Sequence, residues 1–135
     1  MSHLLDTSVL TRLGEPSVRA VVEPLATIGR AARAGISDLE IGYSARNVRE
    51  WDALVGALDA FVLVETTAAH LERARQVQRL LAANSQRGRK IPDLLIAAAA
   101  EQAGHTVLHY DADFDLIATM TGQKCEWVVP QGSID

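Results

Sequence analysis

Short apolar segments alternate with longer amphipathic ones along the chain, and this alternation is the feature that most restricts the fold. The clearest apolar segments are "HLL" (3–5), "FVLVE" (61–65), "TVLH" (106–109) and "EWVV" (126–129), with a weaker one at "ARAGIS" (32–37). Strand-like segments separated by helical ones are typical of βαβ units, in which the strands run parallel. The sequence therefore predicts an α/β domain with a parallel β-sheet flanked by helices.

The segments between these strands have the apolar spacing of helices. The longest covers 68–84, where Thr67 is placed to cap the first turn. Pro24 is expected to interrupt a short helix over 17–25, because proline cannot donate the backbone hydrogen bond of a helix interior. Further helices are predicted at 8–13, 38–46, 48–60, 92–104 and 114–121.

Length and composition limit the class of protein. A chain of 135 residues is long enough to bury a core, and no linker or repeat divides it, so we expect one domain over 1–135. The single cysteine, Cys125, excludes an internal disulfide framework and indicates a reducing compartment. No apolar run approaches the roughly 20 residues of a membrane span, and no signal-type N-terminus is evident. We therefore expect a cytoplasmic protein that does not contact membranes.

Acidic residues stand at several junctions between predicted elements. Asp6 directly follows the first strand, Asp93 starts the Ala-rich helix, and Asp111 and Asp113 follow the strand at 106–109. In open parallel sheets, ligands bind at the carboxyl edge of the strands. This placement is a reason to group the acids into one candidate site.

Each of these acids also fits an ordinary structural role. Asp6 can cap the helix that follows it, and Asp93 in a first helical turn is favourable against the helix dipole. Ser37 and Glu40 have the spacing of a capping box, and "YDADFD" (110–115) can form an Asx-type loop. Taken one at a time, the acids therefore do not identify a site.

Four motifs occur together in a fixed order: "LLDTSVL", "ISDLEIGYSA", "KIPDLLIAAAA" and "HYDADFDLIA". In this combination the chain resembles the PIN-domain ribonucleases and, among them, the VapC-type toxins of bacterial toxin–antitoxin pairs. The resemblance covers nearly the whole chain. It implies a Rossmann-like sheet with helices on both faces and an acidic pocket at the carboxyl edge of the sheet.

The resemblance also implies roles for individual acids. Asp6, Glu40 and Asp93 match three acids of the family pattern, and either Asp111 or Asp113 matches the fourth. Asp6 and Asp93 are expected to hold the main metal ion, with Asp111 or Asp113 close by, and Glu40 to orient the attacking water or help to bind a second ion. Thr7 or Ser8 of the "DTS" motif is expected to hold either Asp6 or a metal-bound water in place.

Several carboxylates in one pocket favour a divalent cation, because like charges raise one another's pKa and a cation relieves the repulsion. Ligand sets made only of oxygen favour Mg²⁺ or Mn²⁺ over zinc. Such a site can activate water and neutralise charge on a phosphodiester. The predicted activity is that of a Mg²⁺- or Mn²⁺-dependent endoribonuclease, and the sequence leaves open whether one ion or two are bound.

The charge of the chain is compatible with an RNA substrate. The formal net charge is −4, but without the five candidate site acids the other residues carry +1. An acid-free stretch over 73–90 carries six basic residues that are expected to contact phosphates: Arg73, Arg75, Arg79, Arg87, Arg89 and Lys90. Alternatively, this stretch is a solvated helix face and loop.

Other functions were weighed on the same residues. A haloacid-dehalogenase-type enzyme needs Asp-x-Asp after the first strand, where this chain has "DTS". A response-regulator receiver needs an acidic pair there. The remaining alternative is a catalytically inactive PIN-fold binding module that acts through partners. The resemblance further implies a homodimer and a cognate VapB-type antitoxin that covers the acidic groove.

Overall fold

The computed structural model describes residues 2–86 and 88–135, which form a five-stranded sheet between layers of helices. Its strands are β1 His3–Leu5, β2 Ala31–Ala34, β3 Val62–Val64, β4 Thr106–His109 and β5 Cys125–Trp127. Their order in the sheet is β3-β2-β1-β4-β5, and every neighbouring pair is parallel. The predicted α/β fold with a parallel sheet is confirmed.

The helices lie between and after the strands. They are α1 Thr7–Leu10, α2 Pro16–Thr27, α3 Gly35–Gly42, α4 Val48–Gly56, α5 Ala68–Ala83, α6 Ile91–Ala103 and α7 Asp113–Thr121, with a 3₁₀ turn at Ala57–Ala60. Thr67 caps α5, as predicted, and the His70 side chain completes a reciprocal capping box with it. No helix in the described part of the chain has the length and apolarity to cross a membrane.

Each face of the sheet has its own apolar core, since successive strand residues point to opposite faces. Leu4 packs in the cluster that contains Leu81 of α5 and Ile96 of α6. Leu5 packs on the opposite face with Val9 of α1 and Val18 of α2. Because both faces are covered, polar residues that follow β1 and β4 meet at the carboxyl edge of the sheet.

Pro24 does not interrupt its helix, so that prediction is wrong. Helix α2 continues through Pro24 to Thr27. Pro24 and Ala20, four residues before it, are both exposed. Pro24 has no N–H to donate to the Ala20 carbonyl. Because this carbonyl lies on the solvent side of the helix, water can donate to it instead.

Strand β2 looked weakly apolar in the sequence because it contains a buried arginine. Arg33 is only 7% exposed. Its guanidinium donates to both carboxylate oxygens of Asp38, at 2.8 and 3.2 Å, and to the carbonyls of Leu58 and Phe61, at 2.8 and 2.6 Å. Asp38 is not one of the candidate site acids. It is instead the partner of this buried cation.

Some predicted boundaries move by a few residues. The second strand ends at Ala34 and not at 37, so the helix after it begins at Gly35. The strand predicted at 126–129 covers Cys125–Trp127. The loop between α5 and α6, called the basic loop below, carries Arg89 and Lys90, and Arg87 lies outside the described residues.

Candidate metal centre and active site

Three elements bring acids to one point at the carboxyl edge of the sheet. Asp6 follows β1, and its backbone N–H donates to the carbonyl of Leu108 in the neighbouring β4 at 2.9 Å. Asp111 comes two residues after β4, and Asp93 lies in the first turn of α6. The central pairing of β1 with β4 therefore joins the first and last parts of the sequence at this site.

Asp6, Asp93 and Asp111 form a compact acidic cluster. One carboxylate oxygen from each lies within 4.8 Å of the others. Asp6 is 2% exposed and Asp93 is 5% exposed. Asp6 Oδ1 and Asp93 Oδ2 are buried without a hydrogen-bond partner among the residues that the structure describes. Buried carboxylate oxygens are rarely left unpaired, because their desolvation is costly.

Ser8 fixes the orientation of Asp6. The backbone N–H of Ser8 donates to Asp6 Oδ2 at 3.0 Å, and its hydroxyl donates to the same oxygen at 2.5 Å. Ser8 Oγ in turn accepts a bond from the backbone N–H of Tyr110 at 2.9 Å. Asp6 thus caps α1 through one oxygen while the other remains free for the cluster.

The surroundings of Asp6 and Asp93 disfavour their ionised forms. Burial and the charge of Asp6 together raise the pKa of Asp93 to about 8, against the attraction of Lys90. Burial also raises the pKa of Asp6, although its bonds from Ser8 oppose the change. Both carboxylates would ionise more readily with a cation beside them.

Lys90 supplies a cation to one side of the cluster. Its Nζ donates to Asp111 Oδ2 at 2.6 Å and lies 3.8 Å from Asp93 Oδ2. Partial burial raises the pKa of Asp111, but the bonds from Lys90 and from the backbone N–H of Asp113 outweigh it and leave that pKa below its usual value. The Lys90 side chain is 60% exposed, so it can move away without disturbing the core.

Asp113 does not join the cluster of three. Its carboxylate accepts from Arg89 Nη1 at 2.7 Å, and its backbone N–H donates to Asp111 Oδ1 at 2.9 Å. Of the two aspartates between which the sequence left the choice open, the structure therefore groups Asp111 with Asp6 and Asp93. Asp113 instead connects the site with the basic loop.

Glu40 lies beside the cluster, where its charge contributes to the raised pKa of Asp6. The Thr7 hydroxyl donates to Glu40 Oε1 at 2.7 Å and lies 2.9 Å from Ser37 Oγ. The capping-box interpretation of Ser37 and Glu40 is wrong, because α3 begins at Gly35 and Ser37 is buried inside it. Within the "DTS" motif, Thr7 thus holds Glu40, whereas Ser8 holds Asp6.

Sequence patterns offer little reason to place Lys90 and His109 in the site. Lys90 was assigned only to the basic stretch, although its position three residues before Asp93 allows contact across one helical turn. His109 is buried between Phe114 and Trp127, and its Nδ1 accepts the backbone N–H of Asp111 at 3.2 Å. This hydrogen bond cannot be predicted from the local sequence, because it depends on the conformation of the loop after β4.

The donor set of the cluster fits a hard divalent cation. It contains only carboxylate oxygens, which Mg²⁺ and Mn²⁺ prefer. The buried oxygens Asp6 Oδ1 and Asp93 Oδ2 accept no hydrogen bond from the described residues and provide ligand atoms. Glu40 and Asp113 lie next to the cluster, but their carboxylates already accept hydrogen bonds from Thr7 and Arg89, respectively.

Comparisons with known proteins agree with this architecture. The family model for the PIN domain matches residues 3–119. Ribonuclease VapC51 of Mycobacterium tuberculosis is 65% identical over 135 residues, covering 100% of this chain and 98% of the relative. Ribonuclease VapC21 of the same species is 46% identical over 134 residues, covering 97% and 96%.

Solved structures show the same fold at low sequence identity. The chain matches the crystal structure of VapBC2 from Rickettsia felis bound to a promoter DNA fragment with a TM-score of 0.78 and 17% identity, covering 93% of this chain and 98% of that chain. DNA-bound VapBC from Salmonella typhimurium also gives 0.78 and 17%, covering 96% and 99%. The chain belongs to the PIN-domain family and, within it, to the VapC proteins.

Proposed function

We propose that this protein is a metal-dependent endoribonuclease and the toxin of a toxin–antitoxin pair. The observation that carries the proposal is the buried cluster of Asp6, Asp93 and Asp111, whose oxygens lie within 4.8 Å of one another. The curated relatives named ribonucleases support RNA as the substrate. Phosphodiester hydrolysis at acidic sites of this kind commonly uses Mg²⁺ or Mn²⁺.

In this proposal Asp6, Asp93 and Asp111 hold the cation. A bound Mg²⁺ or Mn²⁺ would supply charge neutralisation and activate water for attack on phosphorus. Ser8 keeps Asp6 in place through two hydrogen bonds, so that the free oxygen of Asp6 remains directed to the cluster. The buried position of Asp93 excludes bulk water from one side of the site.

Glu40 and Asp113 take supporting roles in the proposed reaction. Hydrolysis forms a bond from a water oxygen to phosphorus and breaks the bond to the leaving ribose oxygen, which takes up a proton. Glu40, held by Thr7, orients the attacking water from the α3 side. Asp113 positions Arg89 and gives its backbone N–H to Asp111. We expect both residues to affect the rate more than the fold.

We also infer a VapB-type antitoxin as partner and a homodimeric toxin in the cytoplasm. Structural neighbours of the chain are VapBC complexes, which supports the antitoxin. The exposed side chains of Leu39 and Tyr43 lie beside Glu40, and the neighbouring helix α4 presents the exposed side chains of Val48 and Trp51. An apolar antitoxin segment bound there would cover one entrance to the acidic cluster.

The test is cleavage of a total cellular RNA pool by purified protein in Mg²⁺, in Mn²⁺ and in EDTA. The Asp6→Asn variant keeps a side chain that caps helices well, so it is expected to fold. Asp52→Asn, an exposed acid on α4, is the matched control. We expect discrete cuts that require metal, persist in Asp52→Asn and disappear in Asp6→Asn.

A folded protein that cuts no RNA under either metal and binds no Mn²⁺ would contradict the proposal. Mn²⁺ titration then separates the alternatives. Retained Mn²⁺ binding would indicate an active site with a substrate missing from the pool, while absent binding would favour a PIN-fold module that acts only through partners. Cleavage that survives Asp6→Asn would exclude the acidic cluster as the active site.

A further inference from the structure

A cavity of about 550 Å³ lies between α5 and the basic loop that precedes α6. Its apolar lining comes from Leu81, Ala82 and Leu94, and its charged lining includes Arg75, Arg79 and Arg89. The volume falls within the roughly 300–1,000 Å³ of ordinary ligand sites. The cavity lies outside the acidic cluster, and none of the proposed metal ligands lines it.

The arginines of this cavity are largely available for an anion. Arg79 is exposed and has no ion pair within the described residues. Arg75 has a single exposed partner, Glu72, at 3.6 Å. Exposed pairs of this kind contribute little and exchange readily for another anion. Arg73 differs from these residues, because it is held by Glu101 at 2.6 Å and does not line the cavity.

Arg89 connects the cavity with the acidic cluster. Its guanidinium lines the cavity and donates to Asp113, whose backbone N–H donates to Asp111. The next residue, Lys90, contacts Asp111 directly. A strand of nucleic acid that leaves the cluster along this loop would therefore pass Lys90 and then Arg89 before it reaches the cavity.

The cavity has the surfaces that an unpaired nucleotide needs. Proteins that read single-stranded RNA take up splayed bases on apolar or planar surfaces and hydrogen-bond their edges. Here the exposed Ala82 offers an apolar surface above the buried Leu81, and the amides of Gln76, Gln78 and Gln86 offer donors and acceptors. Phosphates next to the base would lie within the field of the surrounding arginines.

We propose that this cavity binds a nucleotide of the RNA strand that flanks the scissile phosphate. Arg75 and Arg79 contact its phosphates, and the base packs on the exposed Ala82. The inference rests on the proposed ribonuclease function and adds a second contact region to it. It assigns part of the substrate recognition to α5 and the following loop.

The first test measures RNA binding without cleavage, in an Asp6→Asn background with Mg²⁺. The probe is a short fluorescein-labelled single-stranded RNA of mixed sequence, followed by fluorescence anisotropy over a series of salt concentrations. Arg75→Gln with Arg79→Gln should weaken binding and lower the slope of log Kd against log salt by about 0.7 for each lost phosphate contact. Arg19→Gln with Arg30→Gln removes the same charge from exposed residues that do not line the cavity and should leave the slope unchanged.

The second test fills the cavity without changing its charge. Ala82 is exposed near the end of α5, so Ala82→Trp is tolerated by the fold and places a large side chain on the apolar surface. We expect weaker RNA binding with an unchanged salt slope. Circular dichroism and light scattering check that the fold and the oligomeric state of this variant are those of the parent.

The outcomes separate this inference from the proposed function. Suppose that the native chain shows metal-dependent cleavage, but neither the double arginine variant nor Ala82→Trp weakens RNA binding. This result would overturn the proposal that the cavity binds RNA and leave the ribonuclease function in place. Loss in the arginine variant alone would overturn the base site and leave only a charged surface. No binding by the Asp6→Asn protein also overturns the inference, and the cleavage assay on the native chain decides separately whether the ribonuclease stands.

Discussion

Two groups of buried charges in this molecule differ in how far the protein satisfies them. Arg33 has the two oxygens of Asp38 and the carbonyls of Leu58 and Phe61 as partners. In contrast, Asp6 and Asp93 each keep one buried oxygen without a hydrogen-bond partner in the described chain. Both groups lie next to strands of the same sheet.

Under the proposed function, this difference separates a charge that maintains the fold from charges that bind a metal ion. A buried ion with complete internal partners is costly to break but has nothing left to bind. Carboxylates that repel one another destabilise the folded protein. Binding of a cation to their free oxygens stabilises it. The following predictions test this contrast in order of decreasing expected effect.

Replacing Arg33 with methionine should have the largest effect on stability. The change leaves Asp38 unpaired and removes the donor to two buried carbonyls, at a cost of about 3 kcal/mol in the free energy of unfolding. Urea denaturation measures it. Arg46→Met breaks the exposed pair with Glu50 and should cost much less, because exposed pairs contribute little to stability. Equal losses in the two variants would contradict the structural role of Arg33.

Replacing Asp93 with asparagine should have the opposite pattern, with a loss of activity and no loss of stability. RNA cleavage in Mg²⁺ should fall at least about 100-fold, since even residues behind metal ligands cost 10–100-fold. Stability in EDTA should stay the same or rise, because one repelling charge is removed. A variant that unfolds more easily in EDTA would indicate that Asp93 belongs to the fold-maintaining group.

The metal-free protein should lose stability as the pH rises. The folded pKa of Asp93 is raised from 3.8 to about 8, so its contribution is complete below the unfolded value and is lost as the pH rises through the folded value. The free energy of unfolding in EDTA should fall by at most about 1.4 kcal/mol per pH unit for this group. Asp93→Asn should flatten the curve, and an identical curve in the variant would refute the assignment.

Replacing Lys90 with glutamine should have the smallest effect, a rise in Mn²⁺ affinity. The Lys90 ammonium contacts Asp111 and lies near Asp93, where it competes with a metal ion for the same oxygens. Because the side chain is mostly exposed, the pair contributes at most about 1 kcal/mol, or roughly fivefold in affinity. Isothermal titration of Mn²⁺ measures the change, with the exposed Lys124→Gln as control. Weaker binding in Lys90→Gln would show that this lysine supports the cluster instead.

The order of strands and helices was predictable because apolar segments and helix signals are local. The meeting of Asp6 with Asp111 was predictable for a related reason, since both follow strands that end at the same edge of a parallel sheet. The choice between Asp111 and Asp113 was not predictable. It depends on a turn after β4 in which the Asp113 carboxylate is taken by Arg89.

The errors arose where a residue's partner is distant or where solvent replaces a lost bond. Arg33 made β2 look unlike a buried strand, because two of its partners are the carbonyls of Leu58 and Phe61. These residues are too distant in the sequence to be recognised from the residues around β2. Pro24 was expected to break α2, but the carbonyl it leaves free faces water. Ser37 resembled a cap only because the start of α3 was predicted three residues too late.

The central position of β1 has a consequence for how the molecule is made. The hydrogen bond from Tyr110 to Ser8 joins residues 102 positions apart, and β1 lies between β2 and β4 in the finished sheet. Contacts of such long sequence separation form slowly, because a long loop must close before they contribute. A nascent chain therefore has no complete acidic cluster until Asp111 has left the ribosome, so the protein cannot attack RNA while most of it is still being synthesised.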